Sequence, residues 1–461
     1  MTSETARLPM IRRILVASVL CGLLAAGACI PDTSPSAPGG PGTRPLPEWL
    51  PQEVRALWVG RTSLTVPDSL KVVVDRAEAG GFNTLLVEVR GRGDAWYESD
   101  REPRPIQWED VPDDYDPLRV LLDEARFRGI QVHAWIVVHL VASADLLPAD
   151  SLHIVHRQPD WLAVPRELAE FAQETDPGDP GYIEALAEWS LRNQDRVEGL
   201  YTSPAHPGVR EHVTGIVEDL LDRYALQGVH LDYIRYPAPD FDFAPASLEF
   251  FAQWLREGTP RLSRLPISQE GEGSELILLP DSFPDHWDEF RRTQVTRQAL
   301  EIAESVRSRH PDVLVSAAVF PDLDDARDVR FQPWDRWLEW GVVDVVAPMA
   351  YTPDAARFAR YVDRARNLAD SSRIWAGVGL FENTFVGAVA QVQRARSLEL
   401  GGVALFSYDW AVGPDGSAAA GTGPGGYLYR WGQEGWLPGS QESATWAVPE
   451  SKHRKGANPG G

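Results

Sequence analysis

From Arg55 onward, short apolar runs alternate with amphipathic stretches of helical period. The runs Arg55–Gly60, Phe82–Arg90, Ile130–Val138, Gly228–Tyr233, Val313–Phe320, Val343–Tyr351, Arg373–Leu380 and Gly402–Tyr408 read as buried strands. Between them lie the helical patterns Pro67–Gly80, Pro117–Arg128, Pro207–Leu226, Trp287–Arg309, Pro333–Trp340, Asp354–Leu368 and Val386–Leu400. Strands alternating with helices predict βαβ units on a parallel sheet, and eight of them predict an α/β fold closed into a (β/α)8 TIM barrel. An open doubly wound sheet is the competing architecture. Against it, the first strand is followed by Gly60-Arg61-Thr62-Ser63 rather than by a glycine-rich phosphate loop.

Punctuation agrees with the pattern. Gly81, Gly129, Gly228, Gly341 and Gly401 stand between a helix and the next strand, where a left-handed residue ends a helix. Pro67, Pro117, Pro207 and Pro333 open helices, where the missing N–H costs nothing. Helix-to-strand joints are very short. The strand-to-helix segments Gly91–Asp116, His139–His206 and Pro237–His286 are far longer than usual. Long loops at the C-terminal end of a barrel build its site, so a cleft is expected over strands two, three and four.

The barrel is expected to occupy residues 51–410, preceded by a leader. Arg7, Arg12 and Arg13 precede the apolar run Ile14–Gly27, which is too short to span a membrane and fits a signal-peptide core. It ends in Ala26-Gly27-Ala28-Cys29, which resembles a bacterial lipobox. The expected organisation is a signal peptide over 1–28, a flexible tether over 29–50 lipidated at Cys29, and a C-terminal extension over 411–461, disordered at its end. Ordinary signal cleavage after Ala28 is the competing reading. The two cysteines are Cys21 and Cys29, so processing would leave no internal disulfide in an exported chain. The expected location is the cell envelope, on the periplasmic or cell-surface side of a membrane, held by an N-terminal lipid anchor.

A formal charge of −23 argues against nucleic acid as a partner, because phosphate binding needs clustered cations. It also argues against a strongly anionic substrate, unless a local basic pocket overrides the overall field. The 17 tryptophans serve either core packing or the stacking of pyranose faces. His153-x-x-His156 lies in a loop, and no cysteine or clustered histidine spacing suits zinc, so neither metal nor cofactor is expected. A Gly-x-Ser-x-Gly elbow is absent, which disfavours esterase chemistry.

Alternation along each strand selects the side chains that face inward. On the fourth strand His230 and Asp232 share a face, with Asp232 at the C-terminal end. On the second, Leu86, Glu88 and Arg90 share one, and on the third, His133, Trp135, Val137 and His139 do. Glu88 with Arg90 reads equally as a structural ion pair, and His133 as a core histidine. A carboxylate at the end of a barrel strand is costly unless used or paired, which singles out Asp232.

These segments carry a specific resemblance. Tyr201–Pro237, ending in Gly228-Val229-His230-Leu231-Asp232-Tyr233-Ile234-Arg235-Tyr236-Pro237, is similar to the glycosyl-hydrolase-like ten family of bacterial envelope proteins. So are Arg55-Ala56-Leu57-Trp58-Val59, Asp94-Ala95-Trp96-Tyr97 and Val343–Tyr351. Many members carry two consecutive Asp before the strand-four Tyr, and here Leu231-Asp232-Tyr233 has one. The resemblance implies a glycoside hydrolase acting on a polysaccharide, some members acting on peptidoglycan glycan strands. That chemistry needs two carboxyl groups flanking the scissile bond. Asp232 is one candidate, and Glu88 is favoured as the other over Asp322, Glu382 and Asp409. Arg90, His133, Trp135, Tyr233, Arg235, Tyr236, Tyr351, Asp409 and Trp410 are the expected substrate-binding residues. A lipoprotein that binds glycan without cleaving it is the competing function. Trp431, Trp436 and Trp446 either close the barrel bottom or extend the cleft.

Overall fold

The computed structural model describes residues 42–65, 67–105, 108, 111–112, 114–258, 273–412 and 427–436. The expected signal peptide, Cys29 and Trp446 lie outside them. Ten strands follow in chain order: β1 (Val54–Val59), β2 (Thr84–Arg90), β3 (Gln131–Val137), β4 (Leu140–Ala142), β5 (Leu200–Tyr201), β6 (Gly228–Asp232), β7 (Leu314–Val319), β8 (Val345–Pro348), β9 (Trp375–Gly379) and β10 (Gly402–Phe406). Eight of them form one parallel sheet in the order β8-β7-β6-β3-β2-β1-β10-β9. A single parallel bridge, Val346 to Ile374, joins its two ends, so the sheet is a nearly closed barrel. All eight predicted strands are present. They read as continuous apolar runs because helices cover the outer face while side chains fill the interior.

Register divides that interior into layers. Leu86, His133 and Gly228 lie side by side in the lower one, and Glu88, Trp135, His230 and Ser316 in the next. His133 packs against Trp49 and Trp375, and a Cβ at Gly228 would run into its ring. Gly228 therefore belongs to the strand and does not cap a helix. Gly81, Gly129 and Gly341 do take the expected left-handed conformation, but before β10 Glu399, not Gly401, adopts it. One register shift has consequences for the site. Glu88 pairs with Trp135 and Arg90 with Ile136, so Val89 is an extra residue and the alternation breaks there.

Two of the long connections are more than loops. Residues 139–206 hold the antiparallel β4–β5 pair and the helices Ala169–Glu174 and Pro180–Arg192, over a small core that includes Val155, Leu162, Val164 and Leu186. Residues 237–286 supply the helix Pro245–Gly258, whose Leu248 and Phe251 pack with Trp287 and Phe290 of the long helix Pro284–Arg309.

Both described ends of the chain cover the barrel bottom, opposite the cleft. Arg44 pairs with Asp344 at 2.7 Å, and the Trp49 indole donates to the Asp312 carbonyl at 3.2 Å. Residues 44–49, assigned to the tether from sequence, are therefore docked. At the other end the Trp436 indole donates to the Gly80 carbonyl at 2.7 Å, and Trp431 is fully buried. These two tryptophans close the bottom and do not extend the cleft. Because the His133 ring fills the space beside Gly228, Gly228→Ala should overpack the layer and cost about 1–3 kcal/mol in urea unfolding. An unchanged midpoint would count against the layering.

Candidate active site

Above these layers, the C-terminal strand ends surround a cavity of about 300 Å³. Glu88, Trp135, Asp232, Tyr233, Arg235 and Tyr351 line it as expected, joined by Trp58, Arg61, Arg92, Glu198, Phe320, Phe381 and Phe406. Asp232 ends β6 with 6% of its surface exposed. The Trp135 indole donates to one of its carboxyl oxygens at 3.0 Å, and the Tyr233 amide to the other at 2.8 Å. Burial pushes this carboxyl up to about 6, and the nearby Glu88 charge adds to the rise. The two hydrogen bonds and the Arg235 charge oppose that rise without cancelling it.

Glu88 leaves β2 one residue before the bulge. Its carboxylate accepts the Arg61 amide at 3.1 Å and pairs with the Arg61 guanidinium. A third acid, Glu198, arrives on the β3 excursion and pairs with Arg235 at 3.0 Å. Burial pushes Glu198 up, but the Arg235 charge and the Tyr201 hydroxyl hold it below the ordinary glutamate value. The Arg235 guanidinium also lies over Tyr233 at 4.6 Å and Phe320 at 5.1 Å. Tyr351 stacks on Phe406 at 5.4 Å, and Trp410, 54% exposed, stands at the rim beside Phe381. The cavity thus combines flat aromatic walls, ion-paired carboxylates and one buried acid raised to about 6.

Four expected binding residues lie elsewhere. The bulge turns Arg90 out of the cleft, where it is fully buried and pairs with Glu102 at 2.7 Å. Glu88 and Arg90 therefore do not pair with each other. His133 sits a layer below the cleft, neutral because burial lowers it to about 3. Tyr236 is buried in the core edge-on to Phe331. Asp409 ties the end of β10 to the segment after β1, accepting the Gly60 amide at 2.8 Å and the Ser63 hydroxyl at 2.6 Å. Asp322 caps the helix Leu323–Asp328 through the Asp324 amide, and neither it nor Glu382 lines the cavity. Among the described residues, no group of three or more His, Cys, Asp or Glu is arranged to hold a metal ion.

Arg61 and Glu198 were not singled out from sequence. Arg61 could have been, since it follows the first strand at its C-terminal end. Glu198 had no such signal, because its position depends on how residues 139–206 fold.

The Arg90–Glu102 pair anchors the loop after β2, and His212 also donates to Glu102 at 3.1 Å. These partners outweigh the effect of burial and hold Glu102 at about 2, below its ordinary 4.5. Its stabilising contribution is therefore present above pH 4.5 and lost as pH falls through about 2. Glu102→Gln should destabilise by about 3–5 kcal/mol at pH 7, with the deficit shrinking towards pH 2. A pH-independent deficit in chemical unfolding would contradict the pairing.

Comparison with known proteins adds a family to this geometry. A family model described as Glycosyl hydrolase-like 10 matches residues 53–394. Glycosyl hydrolase DigH of Escherichia coli (strain K12) is 23% identical over 401 residues, covering 78% of this chain and 78% of that protein. Glycosyl hydrolase YngK of Bacillus subtilis (strain 168) is 21% identical over 328 residues, covering 66% of this chain and 53% of that one. Among solved structures, the PgaB (BpsB) glycoside hydrolase domain from Bordetella bronchiseptica superposes with a TM-score of 0.53 at 15% identity, over 79% of this chain and 97% of that domain. A β-galactosidase from Rahnella sp. R3 gives a TM-score of 0.53 at 16% identity, over 85% and 57%. These two similarities concern the fold.

Proposed function

The chain belongs to the glycosyl hydrolase-like 10 family, and from that premise we propose that it is a glycoside hydrolase using Asp232 as its general acid. The observation that carries this reading is the buried Asp232 carboxyl, raised to about 6 on a cleft floor that it shares with Glu88. Glycosidic cleavage needs one protonated carboxyl for the leaving oxygen and one carboxylate as nucleophile or base. Asp232 takes the first role and Glu88 the second, its carboxylate held in place by the Arg61 guanidinium and amide. Glu198 and Arg235 position the sugar, while Trp135, Tyr233, Tyr351 and Trp410 offer faces on which a pyranose can stack. The substrate is a polysaccharide, and the glycan strands of peptidoglycan are the first to test. Export and lipid anchoring through Cys29 would place the cleft in the cell envelope.

One observation favours glycan binding without cleavage: both carboxylate oxygens of Glu88 are engaged by Arg61. Reducing-end release from denuded glycan strands separates the two readings. Asp232→Asn should lower kcat by about 10²–10⁴-fold while leaving glycan affinity within a few-fold. Because the acid works only while protonated, wild-type activity should fall as pH rises through about 6. Unchanged turnover in Asp232→Asn would remove Asp232 from the chemistry. Cys29→Ala should move the protein from the membrane to the soluble fraction of lysed cells, and continued retention would exclude the lipid anchor.

A further inference from the structure

A second cavity, of about 240 Å³, opens between the loop after β2 and the β3 excursion, and shares no lining residue with the cleft. Its acids are ion-paired. Glu102 pairs with Arg90 and His212, and Asp100 shares Arg223 with Asp219. Two guanidiniums on its walls, Arg101 and Arg157, have no acceptor among the described residues. The result is a local positive site on a chain whose formal charge is −23.

Two glycines shape the wall. Gly215 lies inside the helix Pro207–Arg223, where glycine costs about 1 kcal/mol relative to alanine. A Cβ there would stand 2.6 Å from an Arg101 guanidinium nitrogen, so the bare backbone makes room for that side chain. A Cβ at Gly208 would stand 2.6 Å from the Trp161 ring. Trp161 lines the same cavity and is half-buried. A flat indole beside two unpaired planar cations matches a sugar ring that carries a carboxylate.

We propose that this cavity is a second saccharide subsite that takes an acidic sugar unit, its carboxylate on Arg101 and Arg157 and its ring against Trp161. The proposal rests on the glycan substrate inferred above. The test is titration calorimetry of the purified full-length chain with three probes: polygalacturonate, its fully methyl-esterified form and inorganic phosphate. Polygalacturonate should bind at least ten-fold more tightly than the uncharged ester or phosphate. The double variant Arg101→Gln/Arg157→Gln should lose at least ten-fold of that affinity, and Trp161→Ala a comparable amount. The double variant should retain the wild-type melting midpoint, and both variants wild-type reducing-end release from short neutral glycans. Equal affinity for acid and ester, phosphate binding as tight as the polymer, or an unaffected double variant would each overturn the subsite. If no glycan is cleaved while arginine-dependent acid binding persists, the hydrolase reading fails and the subsite stands. If cleavage occurs without such binding, the reverse holds.

Discussion

The site depends on one constraint: a carboxyl group is held out of water at the end of a barrel strand. A nearly closed eight-stranded barrel leaves little room for solvent inside it, so the last inward residue of β6 is desolvated by the architecture itself. Two hydrogen bonds, from the Trp135 indole and the Tyr233 amide, keep Asp232 oriented without fully restoring the stability of its charged form. Glu88 then adds a negative charge from the neighbouring face. The water that the fold excludes and the rise of this acid to about 6 are thus the same fact.

The other charges around the cleft follow a different rule. Glu88 and Glu198 each pair with an arginine, and the Arg235 charge holds Glu198 below its ordinary value where burial raises Asp232. The bulge in β2 makes the separation possible. By inserting Val89 it leaves Glu88 in the cleft and turns Arg90 out of it, where Arg90 fixes the loop through Glu102. One irregular residue therefore supplies both a cleft carboxylate and the anchor of the loop beside it.

The barrel was legible in the sequence because eight buried strands and their helices leave a strong periodic record. Asp232 and Trp135 were legible for a related reason, since parity and position at a strand end place them in the cleft; parity assigns Tyr233 to the other face, and it lines the cleft with a left-handed backbone just past β6. Parity failed at Arg90, where a bulge resets the alternation and nothing in Val87-Glu88-Val89-Arg90 announces it. It failed differently at His133, which does face inward but one layer too low, because alternation gives a face and not a depth. Tyr236 and Asp409 lie past the ends of their strands, where side chains answer to tertiary partners such as Phe331 and Ser63. Glu198 was invisible because residues 139–206 build their own small core before delivering it to the cleft.

Desolvation of Asp232 can be followed through its carboxyl carbon by NMR as pH is varied, in the wild type and in Glu88→Gln. The apparent pKa should lie near 6 in the wild type and fall when the Glu88 charge is removed. A carboxyl titrating in the ordinary aspartate range, with no response to Glu88→Gln, would contradict it.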